Sequence, residues 1–105
     1  MSGGGGGGYY PSDESLKCNQ VSILTQLASP VAAVIATLRQ GDELVVRLTP
    51  PAGPVEAITV GGQVAGALLP PGISDLINCM VNGFHYKATV RSINGGNCQV
   101  LITNR

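Results

Sequence analysis

The strongest regularity along the chain is alternation. Val21, Ile23, Thr25 and Leu27 are separated by Ser22, Leu24 and Gln26. Period two with β-branched residues predicts a strand. The next segment, SPVAAVIATLRQGD, changes period. Val31, Val34, Ile35 and Leu38 fall on one face at helical spacing. Ser29 suits an N-cap, Pro30 the first helical position and Gly41 the stop, so a short helix is expected over about 30–39.

Alternation then returns. Leu44, Val46 and Leu48 face one way in GDELVVRLTPP, with Val45, Arg47 and Thr49 opposite, and Pro50 and Pro51 end the strand. In AITVGGQVAGALLPPG two apolar runs flank Gly61-Gly62, which predicts a two-residue hairpin. Gly66 in the returning run predicts a bulge or bend. ISDLINCMVNG is a second helix, with Ser74 as cap, Asp75 at the positive end and Asn82-Gly83 at its close. Leu76, Ile77, Met80 and Val81 form its buried face. FHYKATVRSINGGNCQVLIT is a hairpin around Asn94-Gly95-Gly96-Asn97, with Val100 and Ile102 continuing inward on the return. Phe84, Tyr86, Ala88 and Val90 share one face of its first strand; His85, Lys87, Thr89 and Arg91 share the other. The order is β-α-β-β-β-α-β-β. The expected class is α+β, mostly β: a small, partly closed six-stranded barrel with two short helices.

The start breaks the pattern. MSGGGGGGYYPSDES has six consecutive glycines and no apolar periodicity. Residues 1–15 therefore read as a flexible Gly-rich arm, and 16–105 as the folded domain. Tyr9, Tyr10 and Pro11 are candidate partner-binding residues on that tether.

Composition narrows the function more than the fold. Charged residues are 11 % of the 105 and the formal net charge is +0, where about 25 % charged is usual. A surface this poor in charge is weakly defended against association, so a protein partner or homo-oligomer is expected. No basic-then-apolar leader is present and no apolar run reaches the ~18 residues of a membrane span. The expectation is a cytoplasmic protein without a membrane. Cys18, Cys79 and Cys98 are an odd, scattered set beside a single histidine, His85. They read as reduced, buried thiols acting as small hydrophobes, with no metal and no cofactor. No nucleophile–base spacing or phosphate-binding turn appears, so no enzyme is expected.

Charge is also uneven along the chain. Residues 1–75 carry six acids and three bases, −3; residues 76–105 carry Lys87, Arg91 and Arg105 and no acid, +3. A basic strand face with aromatics can follow a nucleic-acid backbone. The candidates are Arg47, His85, Tyr86, Lys87 and Arg91. The alternation of any half-exposed strand produces the same pattern.

One family shares the layout of residues 38–93. Gly41, Asp42, Leu44, Val46 and Arg47 begin a strand. Ala57, Ile58 and Val60 form an "AI-V" strand, and Gly66, Leu69 and Pro70 a return. A helix through Leu76 follows, then Gly83 and an alternating Ala88 and Val90. In this the chain resembles a HIRAN domain, in a divergent, stand-alone bacterial form. The resemblance implies a barrel shaped like OB and SH3-like barrels. It also implies binding of single-stranded DNA or 3′ ends for a partner nuclease or helicase. Where that family has Asn-Pro-Tyr-Asp, this chain reads AGPVE, Ala52–Glu56. The alternative is a protein-interaction or assembly subunit, or a homo-oligomer, that binds no nucleic acid.

Overall fold

A computed structural model describes residues 17–50 and 53–105. The arm, with Tyr9, Tyr10 and Pro11, lies outside the described residues. From Ser22 on, the described residues form six strands and two helices in the expected order: β1 (Ser22–Gln26), α1 (Ala32–Ile35), β2 (Glu43–Leu48), β3 (Val55–Ile58), β4 (Val64–Ala67), α2 (Ile73–Val81), β5 (Tyr86–Asn94) and β6 (Asn97–Asn104). All pairings are antiparallel, in the order β1-β6-β5-β2-β3-β4. The sheet curls into a half-barrel.

Alternation dictates the curl. One inward row runs Ile23, Ile102, Ala88, Leu44 across four strands. A second runs Thr25, Val100, Val90. Val46, Val55, Ala57, Ala65 and Leu68 extend the core, Leu27, Tyr86 and Cys98 join it, and Val34, Ile35 and Leu76 enter it from the helices. Ala57, Ala65 and Ala88 are fully buried. Small side chains on the concave side leave room for the sheet to bend around the larger ones.

One end of the barrel closes. The Ala28 and Ala67 backbones exchange two hydrogen bonds of 2.8 Å, and the Val31 N–H donates to Ala65 C=O at 2.9 Å. The segment after β1 thus covers the outer edge of β4. Gly66 permits this approach. A Cβ there would stand 3.1 Å from both Ala28 O and Leu27 Cβ.

Several local expectations are corrected. The first helix spans only Ala32–Ile35, and Ser29 does not cap it. Val31 is the N-cap, while Ser29 has φ 45°. Bridging to Ala65 commits Val31 to extended backbone, so the helix starts late. The second helix is N-capped by Gly72 (φ 80°), which leaves Ser74 inside it. The Gly61-Gly62 pair sits within a longer loop, where the Thr59 N–H donates to Gln63 C=O and the Gln63 N–H to Thr59 Oγ1. The irregularity expected at Gly66 is present: Ala57 pairs with Gly66 and Ile58 with Val64, which leaves Ala65 as the extra residue of β4. The Asn94–Asn97 hairpin turn lies where expected.

The cysteines need the largest correction. Cys18 and Cys79 are joined by a disulfide, their Cα atoms 5.6 Å apart; they are not the reduced thiols expected. Cys98 is free and buried, and burial raises its thiol pKa.

Candidate binding edge and wedge

Among the described residues, one edge of the sheet has no neighbouring strand. In the β1–β6 ladder the Leu27 N–H donates to Cys98 C=O at 2.9 Å. Antiparallel ladders alternate, so Thr25 and Ile23 bond to Val100 and Ile102 in the same register. Ser22, Leu24 and Gln26 therefore turn their N–H and C=O groups away from β6. Among the described residues no strand pairs with that side. The strand carries no charge, no proline and no bulge, the usual guards of an exposed edge. Leu24 is 56 % exposed at its centre.

A wedge opens beside this edge. Beyond the Ala28–Ala67 bridge the chain reads Leu69-Pro70-Pro71. Prolines have no N–H to continue a ladder, so the backbone diverges from β1 and enters α2. Between them lies a cavity of about 350 Å³. Val21 and Ile23 form its strand wall and Leu76 its apolar helix wall, and the Cys18–Cys79 bond joins the two. Lys17, Asp75, Asn78 and Asn82 give it a polar border of opposed charges.

The strand wall is anchored from below. Tyr86 is 1 % exposed, and its hydroxyl donates to Cys18 C=O at 2.8 Å. Asn104 Nδ2 donates to the same carbonyl, and Asn104 Oδ1 accepts from the Val21 N–H at 3.3 Å. Burial raises the Tyr86 pKa, with hydrogen bonding to Asn104 offsetting part of the rise.

Of the residues expected to contact nucleic acid, Arg47, His85 and Lys87 share one face of the sheet, and Tyr86 and Arg91 stand apart from them. Tyr86 faces the core, on the opposite side of β5 from His85 and Lys87, so its ring is closed to a base. Arg47 pairs with Glu56 directly across the ladder at 3.3 Å, and Lys87 with Glu43 at 3.2 Å. Arg91 is exposed, at the register shift between Val90 and Ser92. His85 is exposed at the other end of the strand. His85 to Arg91 spans roughly 20 Å of β5.

No group of three His, Cys, Asp or Glu side chains among the described residues is placed to hold a metal ion. No helix among them is long and apolar enough to cross a membrane. The sequence reading missed the β1 edge and the disulfide. Pro70-Pro71 is the one sequence signal for the edge, as a break that leaves β1 without a neighbour. Compared with protein-family models, curated proteins and solved structures, the chain finds a match in none of the three.

Proposed function

We propose that the domain is a non-enzymatic binding module that takes an extended, uncharged peptide segment of a partner protein along the outer edge of β1. The observation that carries this reading is the set of backbone groups at Ser22, Leu24 and Gln26 beside the wedge, which no strand among the described residues pairs with. Donors and acceptors repeating at every second residue are matched by another extended backbone, and alternate side chains of that segment would fall into the wedge. An uncharged strand and a border holding both Lys17 and Asp75 favour a segment without net charge. Amide exchange tests the edge before any ligand is known. The Ser22, Leu24 and Gln26 amides should exchange fast, and Ile23, Thr25 and Leu27 slowly. Uniform protection along β1 means the edge is already covered and removes the site. Peptides selected by display should then shift the three fast amides on binding.

A second reading keeps the HIRAN resemblance and the single-stranded DNA it implies. It is favoured by Arg47, His85 and Lys87 sharing the outer face. The partnered carboxylates Glu56 and Glu43 oppose it. A labelled oligonucleotide with a free 3′ end, titrated at low and physiological salt beside one with a blocked end, decides the matter. Salt-sensitive binding lost on blocking supports the DNA reading, and no binding at low salt ends it.

The cytoplasmic location expected from the sequence stands against the Cys18–Cys79 bond, because cytosolic thiols are kept reduced. The bond supports an oxidising compartment, or an oxidising moment.

A further inference from the structure

We infer that the Cys18–Cys79 bond is a redox clamp on the wedge, and that its reduction by a dithiol lets α2 leave β1 and dismantles the binding groove. This rests on reading the wedge as the binding site. The bond joins the helical residue Cys18, just before β1, to the C-terminal half of α2. It is thus a covalent tie between the two walls.

The walls differ in what else holds them. The strand side is fixed without the disulfide: Tyr86 and Asn104 both donate to Cys18 C=O, and Asn104 accepts from Val21. The helix side is held less firmly. Only Leu76 of its nine residues is buried, and no side chain caps its N-terminus. Ile73, Ile77 and Met80 pack on the core but are half-exposed. Gly72 (φ 80°) and Gly83 (φ 97°) flank the helix, in a region glycine adopts without strain. Such end points absorb backbone rotation when an element moves. Reduction therefore removes the tie from a wall that can move.

The chemistry is a two-step exchange. Cys79 is half-exposed and lines the open wedge, whereas Cys18 is buried. A thiolate of the dithiol attacks Cys79 Sγ and the Sγ–Sγ bond breaks. Cys18 leaves as a thiolate and takes a proton. The second thiol of the reagent then displaces Cys79, which is protonated in turn. The protein gains two electrons and two protons, and the dithiol departs as its cyclic disulfide.

Hydrogen exchange on the full chain, oxidised and dithiol-reduced, tests the clamp without a ligand. In the reduced protein, protection in Ile73–Val81 should fall about tenfold or more beyond any fall in β5 and β6. Cys79→Ser should match the reduced state and ignore the dithiol. Unchanged α2 protection overturns the inference. So does an equal fall in α2, β5 and β6, which makes the bond a staple of the whole domain. A display-selected peptide that binds away from β1 defeats the wedge reading instead, whatever α2 does.

Discussion

Reducing the Cys18–Cys79 bond should cost the domain about 4 kcal/mol. The cysteines are 61 positions apart. Opening a loop of that length returns chain entropy to the unfolded state, and the loop-closure relation gives about 4 kcal/mol at 25 °C. The other local ties are small beside it. The exposed Arg47–Glu56 and Lys87–Glu43 pairs contribute about 0–1 kcal/mol each. The Tyr86–Cys18 hydrogen bond contributes about 1 kcal/mol. Domains of this size hold about 5–15 kcal/mol in total, so the reduced protein should be marginal. The assay is urea unfolding followed by far-ultraviolet circular dichroism, with and without a dithiol. A thiol count on the denatured, unreduced protein should give one, Cys98. In thermal unfolding the same change should lower Tm by roughly 15–30 °C. Coincident oxidised and reduced curves, or three free thiols, would refute the reasoning.

Gly66→Ala should destabilise by about 1–3 kcal/mol in urea unfolding, because the added methyl meets Ala28 O and Leu27 Cβ at 3.1 Å where the barrel closes; a neutral result means the seam gives way freely. Tyr86→Phe should cost about 1 kcal/mol by the same measurement, since the Cys18 carbonyl then keeps only Asn104. Leu76→Ala should cost about 2–5 kcal/mol as the one α2 side chain fully in the core. Alkaline titration of stability gives a sign test. The folded Tyr86 pKa lies above its unfolded value, so its share of stability is complete below about pH 10 and is lost as pH rises through the folded pKa. Cys98 is shifted the same way and adds a decline that begins lower. Tyr86→Phe should therefore flatten only the steeper part of the curve, seen by comparing unfolding midpoints from pH 8 to pH 11.

Much of the fold was legible because it rests on period two. Leu44, Val46, Ala88, Val90, Val100 and Ile102 declare their faces through their neighbours, and the Asn94–Asn97 turn declares its hairpin. What failed was decided by contacts across long separations. Ala28 meets Ala67 in space and draws Val31 into extended backbone, overriding the helical start suggested by Ser29-Pro30. Cys79 read as a buried thiol, and nothing around it pointed to a partner 61 positions earlier. Of the proposed nucleic-acid residues, the placement of His85 and Lys87 on one face was readable. The carboxylates beside Arg47 and Lys87 come from β3 and β2, and only the strand register brings them there. The β1 edge was hidden for the same reason. Openness is a property of sheet order, and sheet order is not written in any single strand.

The disulfide also decides how the domain carries force. Val21 and Asn104 lie side by side, so a pull on the two ends of the bare fold would peel β1 from β6 one pair at a time, beginning at Ser22 and Thr103. With the bond formed, tension from Lys17 passes through sulfur into α2. All of β1 to β4 then sits in slack chain, a hidden length of roughly 200 Å. Among the described residues the oxidised molecule lengthens only from Cys79 onward, and a reductant converts a short tether into a long one.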